Sequence, residues 1–151
     1  MKKLLFLLIF LLISGNAIAQ SNVRLIALNP QAEANSIYQL SFITADTLQS
    51  EAVFEIVFPG TIDISRVKIA GSATINGGFS VSVSSDTVIV KRSGRGTVIT
   101  QGQDVSVEIA TVKNPGELSE ELTARARIGS AAGSTAQFID IPIVFTRTEN
   151  E

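Results

Sequence analysis

From residue 22 onward the chain is a succession of short runs in which apolar and polar residues alternate, each closed by glycine, proline, asparagine or aspartate. Alternation with a period of two is the mark of a strand with one buried and one wet face. The run at 52–60 is the most pronounced. Phe54, Ile56 and Phe58 fall on one face and Glu55 interrupts the other. Pro59-Gly60 then stops the strand, because proline offers no N–H to a ladder and glycine turns freely. With Phe42 nearby, this run is expected to be a central core strand.

The same pattern predicts strands over 22–28, 38–42, 67–70, 79–83, 87–91, 105–109, 122–128 and 138–145. Tyr38, Leu40 and Phe42 share one face, so the tyrosine is expected in the core. Asn29-Pro30, Ser84-Ser85-Asp86 and Asn114-Pro115-Gly116 supply turns. Asn76-Gly77-Gly78 offers positive-φ residues for a tight reversal into 79–83. Residues 61–65 are expected to form a turn or short helical crossover that lays Ile62 and Ile64 on the core. The small-residue run at 129–134 is read as a flexible loop, and 149–151 as a charged, frayed tail. No long amphipathic helix is apparent. The expectation is an all-β fold, an antiparallel Ig-like β-sandwich of about eight or nine strands.

The first nineteen residues do not belong to that pattern. Lys2 and Lys3 precede an unbroken apolar run from Leu4 to Ile13, and Ala17-Ile18-Ala19 satisfies the small-x-small rule for cleavage before Gln20. Ten apolar residues fall short of the roughly 20 needed to span a bilayer. Residues 1–19 are therefore read as a secretory signal peptide and residues 20–151 as a single β-sandwich domain. The protein is expected to be secreted, to the periplasm, the cell surface or the medium, with no membrane insertion after cleavage. No cysteine stands near the cleavage site to take a lipid anchor.

Without the leader, ten basic residues face fourteen acidic ones, a net charge of −4 spread along the chain. That balance excludes nucleic acid and anionic membrane surfaces as partners, since both call for a basic patch. Histidine and cysteine are absent. Ser-His-Asp and Cys-His devices are thereby excluded, as are zinc sites of the usual ligand sets. Lys68, Lys91 and Lys113 all read as exposed. A glycosidase pair would have to come from Glu55 and Glu108, each on the wet face of a strand. With no tryptophan and one tyrosine there is little to stack a sugar. The protein is not expected to be an enzyme, and no cofactor is expected. Calcium needs only oxygen ligands, but Asp46, Asp63, Asp86, Asp104 and Asp140 show no loop spacing of the D-x-D-x-D-G kind and read as turn and capping residues. The one local basic cluster, Arg92 and Arg95 in the loop 92–96, is a candidate partner-binding loop that could grip a carboxylate.

Three motifs in order, Tyr38-x-Leu40-Ser41-Phe42, Phe54-Glu55-Ile56-Val57-Phe58-Pro59 and Val112-Lys113-Asn114-Pro115-Gly116, resemble Ig-like sandwich modules of bacterial and archaeal surface proteins. Those modules show a Y-x-x-x-F, I-x-F-P, V-x-N-P rhythm, matched here over roughly residues 36–128. The strand pattern also looks somewhat like that of cohesin modules, which present a sandwich face to a partner domain. The resemblance implies a structural, adhesion or assembly module of the cell envelope or surface, with a protein partner or self-assembly. In an assembling subunit the last strand could be exchanged between copies. The alternative is a binding module for a polysaccharide or a partner protein.

Overall fold

A computed structural model of the chain describes residues 21–119, 121–131 and 134–145. Residues 1–19, read from the sequence as a signal peptide, the expected tail 149–151 and part of the loop 129–134 lie outside the described residues. Among the described residues nine strands follow one another: β1 (Ser21–Ala27), β2 (Asn35–Ile43), β3 (Val53–Val57), β4 (Ala70–Gly71), β5 (Phe79–Ser84), β6 (Thr87–Arg92), β7 (Asp104–Lys113), β8 (Thr123–Gly129) and β9 (Ile139–Phe145). Their order in space is β4-β7-β2-β1-β9-β8-β3-β6-β5. The all-β expectation and the strand count hold.

The pairing differs from the expectation in one respect. Not every pair is antiparallel: β1 runs parallel to β9, with Leu25, Ile26 and Ala27 beside Ile143, Val144 and Phe145. β9 divides its partners. Residues 139–142 pair antiparallel with β8, and 143–145 pair with β1. Pro142 marks the handover. Ile143 donates its N–H to Leu122 on the β8 side at 2.8 Å, so the N–H that proline lacks would have pointed away from β8, before the β1 ladder begins. One strand thus belongs to two layers and closes one side of a nearly barrel-shaped sandwich. β9 is seated between β1 and β8 of its own chain.

The core lies between the layers and is built from the alternation. Leu25, Tyr38, Leu40, Phe42, Val105, Val107 and Ile109 face inward from one layer, and Phe54, Ile56, Val88, Val90, Ala126 and Ile128 from the other. Two aromatic contacts bridge the layers. Tyr38 meets Phe58 edge-on, with ring centroids 5.6 Å apart, and Phe42 meets Phe54 at 6.0 Å. Each pair adds roughly 0.5–1.5 kcal/mol beyond the area it buries. Ile62 and Ile64 are buried from the turn that follows Pro59, as expected.

Three local readings change. The strand expected at 67–70 shrinks to Ala70–Gly71, with Val67 buried in a turn and Ile69 two-thirds exposed. The strand expected at 105–109 continues to Lys113 through a bulge, where Thr111 takes φ +68° opposite the break in register between Ser36 and Tyr38. The Asn76-Gly77-Gly78 turn joins two strands that come close in space but share no ladder. It carries the chain from β4, at one end of the strand order, to β5 at the other.

Candidate partner-binding face

β8, β3, β6 and β5 form one layer whose outer surface follows from register alone. Thr123-Ala124-Arg125-Ala126-Arg127-Ile128 buries the alanines and Ile128, so Thr123, Arg125 and Arg127 point outward. On β3, Phe54 and Ile56 are buried while Val53, Glu55 and Val57 stay half-exposed. On β6, Val88 and Val90 are buried, leaving Thr87, Ile89 and Lys91 on the outside. The pairings line these residues into rows: Asp140, Arg125, Val57, Thr87 and Ser84; then Arg127, Glu55, Ile89 and Ser82; then Val53, Lys91 and Ser80.

A charged and aromatic cluster stands at the β8 end of these rows. Arg127 Nε donates to Glu55 Oε2 in an ion pair, and its guanidinium carbon lies 4.5 Å from the centre of the Phe138 ring. The guanidinium of Arg125 lies 5.6 Å from the same ring. The hydrogen bond to Glu55 holds Arg127 above the usual arginine pKa. One side chain is therefore fixed from two sides, by a carboxylate and by a ring. The arrangement follows from β8 and β3 being antiparallel neighbours with Arg127 opposite Glu55. The alternating arginines of β8 were legible in the sequence as a wet face. Their convergence on Phe138 was not, because the ring arrives from the segment that leads into β9.

The other residues singled out from the sequence fall elsewhere. Arg92 is not a surface residue. It is 1% exposed, the next inward position of β6 after Val88 and Val90. Its guanidinium donates to the carbonyls of Gln49 at 2.7 Å, Thr97 at 2.7 Å and Asn76 at 3.2 Å. Desolvation holds its pKa below the usual arginine value, and Glu51 opposes that shift. Three backbone carbonyls take its two terminal nitrogens, while Nε is buried with no partner among the described residues. Buried in this way, the side chain does not present itself to a partner's carboxylate. Arg95 is exposed at the loop tip. Glu55 and Glu108 sit on the outer surfaces of different layers, β3 and β7, and form no pair. Asp46, Asp63 and Asp86 each accept a hydrogen bond from a nearby residue, Thr47 N–H, Ser65 N–H and Thr87 O–H, the turn and capping roles expected of them. Among the described residues no group of three or more carboxylates is gathered as metal ligands would be. No described helix is long and apolar enough to cross a membrane.

No family model matches the sequence, and no curated protein matches it. Similarity appears among solved structures. A cohesin module from a family 33 glycoside hydrolase of Clostridium perfringens superposes with a TM-score of 0.50 at 13% identity, over 82% of this chain and 95% of that module. A non-cellulosomal cohesin from the archaeon Archaeoglobus fulgidus gives 0.44 at 12% identity, over 84% and 93%. A GH20 exo-β-N-acetylglucosaminidase from Vibrio harveyi gives 0.46 at 16% identity over 85% of this chain, which spans only 19% of that enzyme. At 13% identity the likeness to the Clostridium perfringens module is one of fold. With nine strands in two layers joined through β9, the chain is an Ig-like, cohesin-like β-sandwich.

Proposed function

We propose that the protein is an exported, non-catalytic module of the cell envelope or surface that binds a protein partner through the outer face of β8, β3, β6 and β5. Export rests on the pattern of residues 1–19, and the lack of catalysis on a sequence without histidine or cysteine and on the separation of Glu55 from Glu108. The observation that carries the reading is the cluster of Arg125, Arg127, Glu55 and Phe138, set beside half-exposed Val53, Val57 and Ile89. Interfaces are enriched in arginine and aromatic residues held rigidly and flanked by apolar contacts, because little entropy is then lost on binding.

A polysaccharide partner is the weaker alternative for this face. Sugar platforms offer an open aromatic ring, whereas Phe138 is half-buried with two guanidinium groups close to it. The test is affinity capture of envelope proteins from the cells that make the protein. Wild type and Arg95→Glu should retain the same partner, and the Arg125→Glu/Arg127→Glu variant should lose it. Equal capture by the doubly reversed variant would overturn the choice of face. Saturable binding to a glycan array, with no protein retained, would overturn the choice of partner.

A further inference from the structure

β5 ends the strand order. It is hydrogen-bonded to β6 on one side and, among the described residues, to no strand on the other. The hairpin fixes which backbone groups are left over. Ser84 and Thr87 flank the two-residue loop, so the even positions of β5 bond to β6. Gly78 continues that series, its carbonyl accepting from Ser93 N–H at 2.9 Å. Phe79, Val81 and Val83 therefore direct their N–H and C=O groups toward the open edge.

The opposite end of the order is treated differently. β7 runs on past the two residues of β4, and side chains close its ladder there. Ser106 N–H donates to Thr74 Oγ1 at 2.8 Å, and Ser72 Oγ donates to the Ser106 carbonyl at 2.5 Å. β5 has no such closure among the described residues. It also lacks the charges and prolines that commonly protect an edge strand. Val83 is 36% exposed although it shares the inward face with Val81, so core-side apolar surface lies open along this edge.

The strand is also complementary to itself. Residues 80–84 read Ser-Val-Ser-Val-Ser from either end. Laid antiparallel to a second copy about a two-fold axis through Ser82, Ser80 faces Ser84, Val81 faces Val83 and Ser82 faces its own counterpart. The two hydrogen-bonded pairs then fall on Val81 and Val83, the positions whose backbone groups are free. A slip of one residue would set serines against valines and break that match.

We propose that two copies of the protein associate through β5, antiparallel and in this register, joining their β8-β3-β6-β5 layers into one continuous sheet. The pairing covers the exposed flank of Val83 and places both outer faces on the same side of the joined sheet. If those faces bind a partner, the dimer presents them in tandem and gains by avidity. The pairing itself does not depend on what the faces bind.

Sedimentation equilibrium over a range of concentrations should show a reversible monomer–dimer equilibrium. Ser82→Lys and Ser82→Glu each set like charges face to face across the axis, with Cβ atoms about 4.5–5.5 Å apart. Each variant alone should be monomeric with an unchanged circular dichroism spectrum, and an equimolar mixture of the two should dimerise again. Amide exchange at Val81 and Val83 should slow as wild type dimerises. A wild type that stays monomeric at every concentration overturns the proposal. So do dimers that survive both Ser82 substitutions, and a mixture that fails to re-form them. Slowed exchange at Val81 and Val83 only on adding a peptide from another protein would assign the edge to a foreign strand instead.

Discussion

The hydroxyl of Tyr38 donates a hydrogen bond of 2.8 Å to Oδ1 of Asn114, 76 residues further along the chain, and both residues are buried. Asn114 spends its own amide on the carbonyls of Asn29 and Gln31, each at 2.7 Å. One side chain thus ties the end of β7 to β2 and to the β1–β2 turn. Tyr38→Phe leaves the buried Oδ1 without that donor and should lower stability by about 1–2 kcal/mol. Asn114→Ala removes all three bonds and strands two carbonyls, so a loss of about 3 kcal/mol is expected. Urea unfolding curves with unchanged slope would report both.

Tyr38 is also the chain's only tyrosine, and there is no tryptophan, so alkaline titration of the ultraviolet spectrum reads this one phenol. Burial pushes its pKa well above the ordinary value of 10.0. The folded state holds the proton after the unfolded state has begun to release it. The stabilising contribution of the neutral phenol is whole below pH 10 and is lost as pH rises from there toward the folded pKa, at up to about 1.4 kcal/mol per pH unit. Phenolate absorbance should therefore be missing from the folded protein just above pH 10 and appear together with loss of the β-sheet signal.

Arg92 and Arg95, three positions apart, should behave oppositely. Arg92→Ala leaves three carbonyls without their donor and a void in the core, and should destabilise by about 2–4 kcal/mol. Arg95→Ala, on the exposed tip, should change stability by less than about 0.5 kcal/mol. Gly96→Ala should mimic the loss of Arg92, since an added Cβ would meet Arg92 Nη2 and the Asn76 carbonyl it bonds. Thermal unfolding of the three variants side by side checks the ordering.

The Glu55–Arg127 pair is partly solvated, with side chains 17% and 36% exposed, and its worth to the fold should be small. A double-mutant cycle through Glu55→Gln and Arg127→Gln should give a coupling below about 1 kcal/mol, shrinking as salt is raised. The pair positions Arg127 on the outer face more than it stabilises the sandwich.

Much of the fold was legible because one face of nearly every strand is buried and the period is strict. Phe54 with Ile56, Tyr38 with Phe42 and Val88 with Val90 all declared their inward face. What escaped has physical reasons. The parallel contact of Leu25 with Ile143 joins residues from opposite ends of the chain, and no local pattern encodes it. The extension of β7 was hidden because the bulge at Thr111 breaks the alternation. Arg92 reads as the first residue of a basic loop, but β6 runs one residue further than the alternation to Lys91 suggests and turns it inward after Val88 and Val90. Arg125, Arg127 and Glu55 were readable as wet positions, but their meeting at Phe138 depends on how β9 enters the sheet.

The central claim is that one outer face, and not the other, meets a protein. A photo-crosslinking amino acid placed at Ile89, on the outside of β6, and in a second variant at Ile37, on the outside of β2, tests it in the cells that make the protein. The account predicts a discrete crosslinked protein from position 89, abolished by Arg125→Glu/Arg127→Glu, and none from position 37. Crosslinks from position 37 alone, or an adduct at 89 that is indifferent to the arginine reversals, would contradict it.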